Sequence, residues 1–400
     1  MQLGTKLSLF TCSLLAFGTA QAEDYVNVQY VHYDEDSGRT TVMSPALEIS
    51  KDFGTDYTLK ASFVADSISG ASPTWYDGSS GASAFSRGTT AVENVTYGNI
   101  EYDDTRTAGA IALTTRFASR DELSVGYSRS YESDYESNEL SAEYLYNLDS
   151  SRNRTLSFGL SYQLNRVLAQ DYTSNKDRLR DDDDDDDNDN DDYDTSSGAS
   201  KALDVNVITA EIGFTQIMNA HSLAKISVFF INEDGYLSNP YMNVVRYYNQ
   251  NGSGTADIVS DSKPDTRTAY GLTLQYIGAL SDALSLNTSY RFYNDDWGIA
   301  SHTLNTELYY EYGDDWIFGA GLRYYIQSEA DFYNERQDYF TDETYASSDR
   351  RMSDFDALAY KLSARYRVND DWSVNTGVSY YEQSKHFDAL YYTVGLKYNF

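Results

Sequence analysis

The chain has 400 residues, with 62 Asp and Glu against 30 Lys and Arg; the formal net charge of -32 excludes nucleic acid and anionic lipid headgroups as partners, since both need clustered cations. It carries 38 Tyr and 17 Phe but only 4 Pro, and past its first residues no run of about 18 apolar residues is present, so no transmembrane helix is expected. Aromatics this abundant in a polar chain call for many strands with one apolar face each.

At the N-terminus, Lys6 precedes an apolar stretch from Leu7 to Phe17, and Ala20-Gln21-Ala22 precedes Glu23. A basic start, a short apolar core and an Ala-x-Ala site predict a cleaved secretory signal peptide over 1–22, leaving one barrel domain over 23–400. The single cysteine, Cys12, falls inside that leader without the small preceding residues of a lipoprotein site, so the mature chain is expected to have no thiol, disulfide or lipid anchor.

Period-two alternation then predicts strands near 26–34, 39–48, 57–66, 108–117, 122–131, 138–147, 155–164 and 205–215. It continues near 222–231, 268–277, 284–293, 301–311, 316–326, 355–367, 372–381 and 389–400. In the second of these Pro45 cannot donate to a ladder and predicts a bulge or an early strand end. Segments of about ten residues suit tilted membrane strands, and an even total of about 16 suits a bacterial barrel. The fold class expected is therefore all-β, a transmembrane antiparallel up-and-down barrel.

Connection lengths sort by side. Turns such as Lys51-Asp52-Phe53-Gly54, Gly313-Asp314-Asp315 and Asn369-Asp370-Asp371 are short, and every long connection (67–107, 165–204, 232–267 and 327–354) falls on the opposite end. Short periplasmic turns facing long external loops are the asymmetry of outer-membrane barrels, and neither a β-sandwich nor a β-helix predicts it. The last strand alternates strictly, with Tyr392, Val394, Leu396, Tyr398 and Phe400 on one face; with the leader, this resembles the signal read by the barrel-assembly machinery after export. Two Asp-Asp-Trp turns place Trp316 and Trp372 at strand starts as interfacial anchors.

The opposite face carries Lys60, Arg116, Lys225, Arg291, Arg323, Lys361, Arg365 and Lys397 with Asp66, Glu143, Glu211 and Glu307. A mixed, basic-leaning lumen tunes ion selectivity if water-filled and braces the wall if filled. The small-residue stretch after Asp66 could fold back as a constriction or stay outside as a mobile loop. The acidic tract 181–194, with Asp185, Asp187, Asp189 and Asp191 as candidate ligands, could collect Ca²⁺, but it lacks the glycine turn and spaced Glu of a formed site, and its composition suits a solvated tract. Of the four histidines, His386 beside Asp388 is the candidate for a rim hydrolase; none falls in a catalytic motif, and neither a catalytic residue nor a cofactor is assigned.

Three stretches together bear a family resemblance: Tyr33-Asp34-Glu35-Asp36-Ser37-Gly38-Arg39, then Ser44-Pro45-Ala46-Leu47-Glu48-Ile49-Ser50-Lys51-Asp52-Phe53-Gly54, then Asp66 through Thr74. The chain resembles the family catalogued as domain of unknown function 3570 (DUF3570); the resemblance implies an outer-membrane location and brings no reaction or substrate. The poly-Asp tract is not part of that pattern. The function expected is a porin-like or transport-related barrel with a loop-narrowed lumen passing small solutes, embedded in outer-membrane lipid. A closed barrel acting as a surface scaffold or Ca²⁺-associated platform is the second reading, and a rim hydrolase the third.

Overall fold

A strand that meets hydrocarbon on one face and water on the other alternates in character, and in lipid its backbone groups must all be paired by neighbouring strands. The computed structural model describes residues 24–36, 39–77, 88–168, 202–247, 254–334, 340–385 and 387–400. The expected leader 1–22, the acidic tract 181–194 and His386 lie outside the described residues.

The strands are β1 (Tyr25–Glu35), β2 (Thr40–Phe53), β3 (Tyr57–Asp77), β4 (Gly88–Ala91), β5 (Val95–Arg116), β6 (Glu122–Tyr131), β7 (Tyr135–Asn147), β8 (Arg154–Leu168), β9 (Ala202–Asn219) and β10 (Ser222–Gly235). There follow β11 (Asn243–Tyr247), β12 (Thr255–Ser260), β13 (Thr266–Ser281), β14 (Leu284–Asp295), β15 (Ala300–Tyr312), β16 (Trp316–Gln327), β17 (Phe355–Arg367), β18 (Trp372–Gln383) and β19 (Asp388–Asn399). All but β4, β11 and β12 form one closed antiparallel barrel of 16 strands, sealed where β1 pairs with β19 from Tyr25 opposite Asn399 to Glu35 opposite Ala389. Each of the 16 expected strands is a barrel strand, and the short turns share one end with both described termini, where the Phe400 N–H donates to the Asp24 carbonyl at 3.0 Å. Gly54 and Gly313 take the left-handed conformation that two of these turns require (φ 66° and 62°).

Two local expectations are corrected. Pro45 neither ends β2 nor bulges it: β2 runs on to Phe53, and Pro45 stands opposite Tyr30 in unbroken register with β1. Only the ladder to β3 skips, passing from Met43 opposite Ser67 to Ala46 opposite Val64 with no slip, so the interruption is confined to Ser44 and Pro45. The stretch 67–107 is not one long loop. β3 and β5 stay paired from Tyr57 opposite Thr115 to Asp77 opposite Val95, a hairpin that rises well above the neighbouring β6. A stretch of small residues that reads as loop material becomes strand here because β5 supplies a partner along its whole length.

The outer surface is an apolar belt. Val28, Phe63, Ile111, Leu160, Ile212, Val228, Leu304, Leu322, Leu362 and Val394 are all exposed in the isolated chain, as lipid-facing residues must be. At the end with the short turns the aromatics stack into a rim: Trp316 lies 4.6 Å from Tyr366 and 5.5 Å from Phe318, Trp372 lies 4.6 Å from Tyr398, and Tyr398 lies 6.0 Å from Phe400. Leu362 stands mid-strand between Ala320 and Val378 and is 62 % exposed. Leu362→Arg should therefore lower folding stability in lipid by about 2–4 kcal/mol, while the same change at an external loop residue should cost far less. Urea titration of the heat-modifiable band in phospholipid vesicles measures both.

Candidate functional site

The inner face is built around glycines that leave room for charged neighbours. Gly321 stands in the ladder between Glu307 on β15 and Lys361 on β17, and across it Lys361 Nζ reaches Glu307 Oε1 at 2.9 Å. Gly159 stands likewise between Glu143 and Glu211, and Lys225 Nζ comes within 3.3 Å of Glu211 Oε1. At Gly271 the ring of Phe229 lies where a side chain would begin, and the Arg291 guanidinium stacks on that ring at 4.2 Å from its centroid.

The other basic positions make looser contacts or no ion pair. Arg116 Nε is 3.7 Å from Glu122 Oε1, Lys397 Nζ lies 4.4 Å from the Tyr25 ring centre, and the Arg323 guanidinium lies 5.7 Å from that of Tyr325. Lys60 stands between Ser50 and Ala112, and Arg365 between Ile317 and Asn375. Among the described residues Lys60, Arg291, Arg323 and Arg365 make no ion pair within 4.0 Å.

At the rim, the motif stretches meet. Ser44 Oγ donates to Asp66 Oδ1, and Arg106 Nε donates to Asp66 Oδ2 at 2.5 Å, all three residues being buried. Tyr33 OH donates to Glu35, whose other oxygen lies 3.4 Å from Arg39 Nε.

Above the barrel the long connections pack into a cap. β4, β12 and β11 form a separate antiparallel sheet, with Thr90 opposite Ala256 and Val245 opposite Ile258. Trp75 from the β3–β5 hairpin packs on Val245 and Ala256, and Val244 packs on Phe340 and Ala346 from the β16–β17 connection. Trp297, Ile299, Phe332 and Tyr333 join Val167 and Val205 at the tops of β8 and β9. In the ring, β6 to β9 stand between β5 and β10, β14 and β15 between β13 and β16, and β18, β19, β1 and β2 between β17 and β3. Contacts among hairpins so spaced must cross the mouth. Each large apolar side chain buried there contributes about 1.5–3 kcal/mol.

The cap is pinned by a buried ionic group. Lys263 Nζ lies 2.9 Å from Asp349 Oδ2 and 3.5 Å from Asp261 Oδ2, and Arg351 Nε donates to Asp349 Oδ1 at 2.8 Å. Asn239 N–H donates to Asp261 Oδ2 at 2.9 Å, so the β10–β13 and β16–β17 connections share one network. Burial pushes the Asp349 carboxyl up, but Arg351 and Lys263 outweigh it and hold the group well below its ordinary value of 3.8. Burial, with Asp349 adding to it against Lys263, pushes Asp261 the other way.

The sequence reading missed this network because its members lie in two connections that show no periodicity, and it missed Phe229 because the adjacent Phe230 already fills the outward slot. Of the rim-hydrolase pair, Asp388 accepts from Tyr380 OH at 2.7 Å and His386 lies outside the described residues; a different histidine, His302, shares a 2.7 Å hydrogen bond with Tyr290 on the outer face.

Asp349→Asn should strand Lys263 and Arg351 beside a neutral partner and loosen the cap by about 3–5 kcal/mol. Amide exchange in β11 and β12 should accelerate with exchange in the barrel unchanged. Because the folded-state value of Asp349 lies below its ordinary one, its contribution is complete above about pH 4 and is lost only as pH falls further, through the lowered value. The Asp349 contribution to cap protection should therefore stay constant from pH 7 to pH 5, and any change seen over that range in the parent and also in Asp349→Asn belongs to other groups such as Asp261, whose carboxyl is raised.

The family described as Protein of unknown function (DUF3570) matches residues 7–396. No curated protein matches the chain. Among solved structures, the chain is similar to the CymD monoaromatic hydrocarbon channel, at 10% identity and a TM-score of 0.43 over 95% of this chain and 89% of that one. It is similar to the toluene transporter TodX of Pseudomonas putida at 11% identity and a TM-score of 0.42, covering 96% and 91%. The KdgM porin gives 11% identity and a TM-score of 0.30, covering 94% and 99%.

Proposed function

The chain belongs to the DUF3570 family, and we propose that it is an outer-membrane transport barrel whose external mouth is gated by the cap and whose basic inner face favours small anionic or polar solutes. The observation that carries this reading is the set of inner-face cations, Lys60, Arg291, Arg323 and Arg365, that no ion pair neutralises beneath a mouth crossed by packed loops. Paired charges brace a wall; unpaired ones beside water set the sign of the ion that enters. The narrowing falls at the cap, to which the β3–β5 hairpin contributes Trp75, rather than at a loop folded down after Asp66. On the same reading the outward face from Tyr392 to Phe400 is the assembly signal, and lipid is the partner of the apolar belt.

Planar-bilayer recording tests it. The parent should give small steps with a reversal potential displaced toward chloride in a KCl gradient. Replacing Arg291, Arg323 and Arg365 together by Ser should move that potential toward zero or past it, and Asp349→Asn should enlarge the steps. Absence of steps from the parent and from Asp349→Asn alike would reject transport and leave the closed platform.

A further inference from the structure

Past the point where Thr107 stands opposite Tyr131, β5 leaves β6 behind and rises with β3 alone. The β6–β7 turn lies beside this rising edge; Glu132 N–H closes it by donating to the Tyr135 carbonyl at 2.7 Å, and Leu168 N–H at the end of β8 donates to the Asp134 carbonyl at 2.7 Å. The turn thereby brings the carboxylates of Glu132 and Asp134 up to that of Asp104, with one oxygen from each lying within 4.8 Å of the others. Glu132 is 2 % exposed and Asp134 6 %, and Glu132 Oε1 is fully enclosed with no hydrogen-bond partner. A buried carboxylate with an unpartnered oxygen, set beside two further carboxylates, is unfavourable unless a cation or a proton sits among them.

We propose that Asp104, Glu132 and Asp134 form a Ca²⁺ site at the external rim, separate from the acidic tract 181–194. The donors are all oxygen, with no thiolate or imidazole, which suits a hard cation. Ca²⁺ takes carboxylate and water oxygens at about 2.3–2.6 Å in a flexible shell, whereas Mg²⁺ demands near-ideal octahedral geometry and gives up its waters reluctantly. The nearby guanidinium of Arg106 is held by Asp66. Three carboxylates from the chain leave the rest of the shell to water, which suits affinity in the extracellular range of about 10⁻⁴ to 10⁻³ M. Bound there, the ion would tie the β6–β7 turn to the β3–β5 hairpin that carries Trp75 into the cap.

The test compares the full mature chain with Glu132→Gln and with Asp104→Asn, each refolded in detergent and checked by heat-modifiability. Equilibrium dialysis against ⁴⁵Ca²⁺ should show one saturable site per chain more in the parent than in either variant, or an affinity about tenfold or more weaker in the variants. Any background from the acidic tract is common to all three and cancels. CaCl₂ should raise the melting temperature of the parent and leave that of Glu132→Gln unmoved. Equal ⁴⁵Ca²⁺ uptake by the parent and whichever variants refold, or equal thermal shifts, would overturn the site and leave Glu132 as a buried neutral acid. Conductance enters neither readout, so this result and the transport test can fail independently.

Discussion

Every peptide group that meets hydrocarbon has to find its partner within the protein, and this single demand shapes the rest of the molecule. An open sheet would present two unsatisfied edges to lipid, so the pairing of β1 with β19 is what makes the other antiparallel pairs admissible in a membrane. It also explains the tolerance for Pro45: the strand can lose one hydrogen bond toward β3 because register on both sides is fixed by its neighbours. Closure further dictates that polar chemistry go inside or above, since the outer face is committed to apolar residues.

Inside and above, the protein treats charge in two ways. Some inner-face charges are matched across glycines, as with Lys361 and Glu307, where the missing side chain lets an ammonium and a carboxylate meet over the backbone. Others, such as Arg323 and Arg365, make no ion pair within 4.0 Å among the described residues. In the cap the balance is tighter, because Lys263, Asp261, Asp349 and Arg351 are withdrawn from water and each depends on the rest. Such a group contributes less net stability than its contacts suggest, but it defines sharply which loop meets which.

The barrel was legible from sequence because lipid imposes a period of two on every segment that crosses it, and the alternation of Trp316, Phe318, Leu322 and Tyr324 needs no knowledge of neighbours. The upper half was not. Most residues from Ser67 to Thr74 are small, and whether such a stretch hangs as loop or stands as ribbon depends on β5, its partner further along the chain. β11 and β12 are too short to show periodicity, and Val244 and Ile258 are apolar for contacts supplied by other connections. The same holds for Asp104, Glu132 and Asp134, which the sequence scatters among many other acids and the fold gathers at one edge.

The cap stands on hairpins rooted in three sectors of the ring. A body with three separated feet on a hoop resists ovalisation of the hoop, as a spider bracket keeps a wheel round. The strands beneath it cannot shear or flatten without straining Trp75 against Val245 or Lys263 against Asp349. The mechanical coupling runs both ways, so lateral pressure from the surrounding membrane would reach the mouth directly, and whatever presses on the mouth would be felt as a change of girth in the wall.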